Sequence, residues 1–72
     1  MNVIIEINGN TYREYIDNNT QEAMLCKGSQ ILAETQTHNG LNEVWMYSGN
    51  ADDIGTWAAS YYIKKVFLRG RR

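Results

Sequence analysis

The amino-acid sequence predicts a small α+β domain, an antiparallel sheet of three or four strands with two helices packed on one face. The expected order is β-β-α-β-α, with a closing strand as the alternative ending. Three observations carry this expectation: Asn8-Gly9 sits between two β-branched stretches, apolar residues recur at helical spacing in two later segments, and Leu41 to Ser48 reads as a further strand.

Asn2 to Ile7 alternates loosely, Asn8-Gly9 is a strong type I′ turn signal, and Thr11 to Ile16 again favours a strand, so the chain opens with a β-hairpin. Asn18-Asn19-Thr20 supplies turn and N-cap chemistry. Met24, Leu25, Gly28, Ile31, Leu32 and Thr35 then fall on one helical stripe, and a helix over about 20–36 is the preferred reading. Gly28 within it costs roughly 1 kcal/mol relative to Ala, which leaves a competing reading as two short strands broken at Gly28-Ser29. His38-Asn39-Gly40 suits the end of that helix, with Asn or Gly available for a left-handed position. After the strand from Leu41, residues 48–53 break the chain and place Asp52 and Asp53 where a new helix would begin. Ile54, Trp57, Ala58 and Tyr61 supply its stripe over about 52–65. Tyr61 to Arg69 is β-branched and aromatic enough to form a final strand instead.

Seventy-two residues make one domain, taken as 1–68 with a basic tail over 69–72. A chain this short buries only about 60% of the surface its unfolded form exposes, so its core is thin. The usual staples are missing, since Cys26 is the sole cysteine and His38 the sole histidine. Oligomerisation, for instance a homodimer, is the remaining common aid. No stretch reaches the roughly 18 apolar residues of a membrane span, and the N-terminus lacks the features of a signal peptide, so a cytoplasmic protein without membrane contact is expected.

Cys26 and His38 are the only nucleophile and base to consider, and on one helix they would stand ~18 Å apart. The acidic residues are scattered. A faint calcium-loop pattern from Asn50 fails, because Ile54 occupies a position that needs oxygen. No phosphate-binding or activated-serine motif occurs, so neither catalysis nor a cofactor nor a metal is expected.

Charge is sharply segregated. Residues 1–63 hold all eight acidic residues against two basic ones, a formal −6, while Lys64, Lys65, Arg69, Arg71 and Arg72 give the last nine residues +5. Those five cations, interleaved with Tyr61, Tyr62 and Phe67, are the candidate nucleic-acid contacts. Trp45 and Tyr47 share one face of the strand from Leu41, and Val44 and Met46 share the other. A thin two-layer domain that covers one face with helices leaves the other as an aromatic patch, and the competing reading has the second helix and an edge strand covering both faces.

No segment carries a family motif. In size and style, as a compact, Asn-rich α+β chain without catalytic groups, the sequence resembles the small inhibitors that phages and mobile elements encode against host defence complexes, anti-CRISPR proteins included. That resemblance implies a non-enzymatic protein that docks on a larger host protein or protein–nucleic-acid complex and blocks it. The expected contacts are Trp45 and Tyr47, with Glu34, Glu43, Asp52 and Asp53 as the carboxylates meeting basic surfaces. The alternative is an RNA- or DNA-binding regulator acting through the basic tail. Against it stands the acidic body, which would repel nucleic acid everywhere but at one end.

Overall fold

A computed structural model describes residues 2–38 and 41–68. The chain runs through β1 (Asn2–Ile7), β2 (Asn10–Ile16), β3 (Ala23–Lys27), β4 (Gln30–His38), β5 (Leu41–Met46), α1 (Ala51–Ala59) and β6 (Val66–Leu68). Its strands form one six-stranded sheet in sequential order. Pairing is antiparallel from β1 to β5 and parallel between β5 and β6.

The opening hairpin forms as expected. Asn8 (φ 51°) and Gly9 (φ 85°) occupy a two-residue turn, and both signs match the type I′ geometry that suits the twist of the flanking strands. The next turn uses Asp17, whose Oδ1 accepts from the backbone N–H of Asn19 at 2.8 Å and of Thr20 at 3.1 Å. This is capping chemistry, but it leads into a strand.

The helix expected over 20–36 is absent, and two central strands stand in its place. Gly28 has φ 63° in the two-residue connection between Lys27 and Gln30, the positive value that the first central position of a type II′ turn requires. A residue that would weaken a helix interior thus closes a hairpin. The apolar spacing is satisfied another way. Leu25 pairs with Ala33 and Cys26 with Ile31, so Leu32 is the extra residue of a bulge. The bulge lets Leu32 and Ala33 both enter the core, at 4% and 0% exposure. His38 ends β4 rather than a helix, and Asn39-Gly40 lie outside the described residues.

The end of the chain also departs from the expected helix over about 52–65. Among the described residues α1 is the one helix, and it stops at Ala59 instead of about 65. Asn50 caps its start, accepting from the Asp53 backbone N–H at 3.1 Å. Its exit is a Schellman-type closure: Tyr62 N–H donates to the Ala59 carbonyl at 2.9 Å and Ile63 N–H to the Ala58 carbonyl at 3.0 Å. Tyr62 takes the left-handed position with φ 61°. The helix so terminated returns the chain beside β5, and Val66–Leu68 forms the closing strand that the sequence offered as the alternative.

The molecule therefore has two layers, a curved sheet and one helix. The edge strands β1 and β6 both contact α1, so the sheet wraps around it. Between the layers lie Ile7, Tyr12, Leu25, Ala33, Val44, Met46, Ile54, Trp57, Ala58 and Ile63. The opposite face of the sheet carries no helix among the described residues.

Candidate functional site

Cross-strand register places one transverse row on the helix-free face. Tyr15 pairs with Met24, Met24 with Glu34, Glu34 with Trp45, and Trp45 with Phe67. Strands lie about 4.8 Å apart, so the row spans roughly 19 Å. Trp45 and Phe67 stack, with ring centroids 4.8 Å apart and planes inclined by 23°.

Carboxylates hold this row in place. Glu34 Oε2 accepts from the Tyr47 hydroxyl and from Gln36 Nε2 at 3.2 Å, and Glu43 Oε1 accepts from Trp45 Nε1 at 3.2 Å. Trp45, Glu34 and Glu43 are half-buried and Tyr47 is exposed. Beside Met24, a hollow of about 160 Å³ is bordered by Tyr15, Asp17, Glu22 and Glu34. The face thus offers flat aromatic area flanked by acceptors that bear negative charge. Trp45, Tyr47, Glu34 and Glu43, expected from the sequence as contacts, come together here.

The other two expected carboxylates do not join them. Asp52 is exposed in the first turn of α1, on the far side of the sheet. Asp53, one residue on, is 2% exposed and points into the interior. Its carboxylate accepts from Tyr12 Oη, from Asn10 Nδ2 at 2.7 Å and from Asn8 Nδ2 at 2.9 Å. The Tyr12 hydrogen bond, followed by those of Asn10 and Asn8, holds the Asp53 carboxyl below its ordinary value. The same bond, then burial, pushes the Tyr12 phenol up. Lys27 Nζ lies 5.3 Å from the centroid of the Tyr12 ring. This network ties the first hairpin to the helix N-terminus.

A third polar centre fastens the other end of the helix. Glu14 Oε2 accepts from Trp57 Nε1 at 2.8 Å and from the Tyr61 hydroxyl. Burial, then Glu14 itself, raises the Tyr61 phenol. Between β1 and α1 a groove of about 350 Å³ is lined by Ile5, Ile7, Glu14, Thr56, Trp57 and Ser60.

Lys64 and Lys65 are exposed on the segment between α1 and β6, and Arg69, Arg71 and Arg72 lie outside the described residues. Cys26 is buried in β3. His38 stands seven positions along β4 from Ile31, the residue paired with Cys26, which is roughly 23 Å of strand. The two-strand arrangement therefore keeps this pair apart as well. Among the described residues no group of three or more His, Cys, Asp or Glu side chains could hold a metal ion, and no helix is long and apolar enough to cross a membrane.

Sequence reasoning missed Tyr15, Met24, Gln36 and Phe67 as members of the face. The alternation of β2 could have oriented Tyr15. Met24, Gln36 and Phe67 required knowing that 20–36 is a hairpin and that β6 runs parallel to β5. Comparison with protein-family models, with curated proteins and with solved structures gave no match.

Proposed function

We propose that this chain is a non-enzymatic binding protein that docks through its helix-free sheet face on a basic, nucleic-acid-binding surface of a larger host complex and blocks that surface. It would act in the manner of phage-encoded anti-defence inhibitors. The observation that carries this reading is the joining of Trp45 and Tyr47 to Glu34 and Glu43 in one hydrogen-bonded patch. Nucleic-acid-binding surfaces are rich in arginine, whose guanidinium stacks on aromatic rings and forms forked hydrogen bonds with carboxylates. A patch that offers rings and carboxylates side by side is complementary to both properties. The acidic balance of residues 1–63 adds long-range attraction that salt weakens.

The test is an affinity capture from bacterial lysate with and without nuclease treatment, repeated with Trp45→Ala and with Glu34→Lys combined with Glu43→Lys. The expected result is a defined, basic protein complex that is released by salt and lost with either variant, while circular dichroism stays native. Capture unaffected by these variants would move the docking surface elsewhere. Recovery of nucleic acid alone would overturn the reading in favour of a regulator acting through Lys64, Lys65, Arg69, Arg71 and Arg72.

A further inference from the structure

The outer side of β1 carries no strand among the described residues. From Asn2 to Ile7 the strand keeps unbroken register with β2, and its closing pair, Ile7 with Asn10, flanks a two-residue turn. Such a closing pair exchanges both backbone hydrogen bonds, and hydrogen-bonded pairs then alternate along the ladder. Ile7, Ile5 and Val3 accordingly direct their backbone groups to β2. The N–H and C=O groups of Asn2, Ile4 and Glu6 point outward along the free edge.

Exposed edges are usually blunted by charged side chains, especially lysine, by proline or by a bulge, and Glu6 is the one such feature in β1. It presents Ile4 at 70% exposure and Val3 at 40%. Arg13, paired with Ile4, extends Nη1 to Asn2 Oδ1 at 3.1 Å, so a cation stands beside the edge.

We propose that β1 pairs antiparallel with β1 of a second copy of this chain, about a two-fold axis at Ile4, to give one continuous sheet across both copies. In this register Ile4 faces Ile4 and Asn2 faces Glu6, and each of these residues has its backbone groups pointing outward. Each such pair exchanges two backbone hydrogen bonds. The side chains match as well: the two Ile4 side chains meet at the axis, and the Glu6 carboxylate of one copy lies beside the Asn2 amide and Arg13 guanidinium of the other. A shift of register loses a pair or sets Glu6 or Asn2 against Ile4. The interface is isologous, so it closes after two copies and places two helix-free faces on one surface.

Sedimentation equilibrium over a wide concentration range, with amide hydrogen exchange at both extremes, tests this independently of any docking partner. The expected result is a mass that rises to twice that of the chain, with the Ile4 and Glu6 amides at least tenfold better protected in the concentrated sample. Ile4→Lys, which sets two ammonium groups at the axis, should stay at single-chain mass with a native circular dichroism spectrum. Glu6→Arg, an exposed change that sets like charge against Arg13, should weaken dimerisation about tenfold and serves if Ile4→Lys fails to fold. A single-chain mass at millimolar concentration, a dimer unaffected by these variants, or a dimer whose Ile4 and Glu6 amides exchange as freely as in the dilute sample would overturn the proposal.

Discussion

Tyr12 and Asp53, 41 residues apart, meet in the interior of this protein, where the phenol donates to the carboxylate. Asn8 and Asn10 supply the remaining donors from the hairpin turn, so a buried negative charge is held by neutral groups. Removing one donor leaves that charge underserved. Tyr12→Phe should lower the folding equilibrium constant by about tenfold or more in urea titrations, and Ser29→Ala, at an exposed turn, should change it little.

The same network sets a pH dependence. The Asp53 carboxyl is held below its ordinary 3.8 in the folded state, so its contribution to stability is complete above about pH 3.8 and is lost as pH falls toward the folded value. The Tyr12 phenol is raised above its ordinary 10.0, so its contribution is complete below about pH 10 and is lost as pH rises through the raised value. Burial and Glu14 act on Tyr61 in the same direction. Urea midpoints measured from pH 2 to 7 should fall more steeply below pH 4 in the wild type than in Asp53→Asn.

Gly28 and Tyr62 both occupy left-handed backbone, one with the residue suited to it and one without. Gly28→Ala adds a Cβ that meets no atom within 4 Å, so only the backbone conformation opposes it. The expected cost is about 1 kcal/mol by equilibrium unfolding.

Tyr62 is 93% exposed and gives up little packing on replacement. Tyr62→Gly should therefore stabilise the fold by about 0.5–1 kcal/mol, read as a higher urea midpoint at unchanged slope. A loss of stability would show that the ring contributes more than its exposure suggests.

The two tryptophans separate core from candidate contact surface. Trp57 is 2% exposed and hydrogen-bonded to Glu14, so Trp57→Ala should cost about 3–5 kcal/mol in thermal or urea unfolding. Trp45 stacks on Phe67 at the half-buried outer face, and Trp45→Ala should cost about 1–2 kcal/mol while abolishing partner capture.

What the sequence determined by itself is what a few neighbouring residues can enforce. Asn8-Gly9 specified the first turn through positive φ, Asn50 to Asp53 specified the start of α1 through its cap and dipole, and the period of two along β5 put Trp45 and Tyr47 on one face and Val44 and Met46 on the other. Residues 20–36 were not decided locally, because Met24, Leu25, Gly28, Ile31, Leu32 and Thr35 fit both a helical stripe and a bulged hairpin. The tie was broken by β2 and β5, which supply the hydrogen-bonding edges on either side of β3 and β4. The candidate site followed the same division. The alternation of Trp45 and Tyr47 was legible, whereas the arrival of Glu34, Met24 and Phe67 beside them, and the burial of Asp53 under Tyr12, required strand order and the wrap of the sheet around one helix. Turn angles and caps act over three or four residues, but ladder pairing and the choice of covered face are settled by groups brought together from across the chain, and only the tertiary structure brings them together.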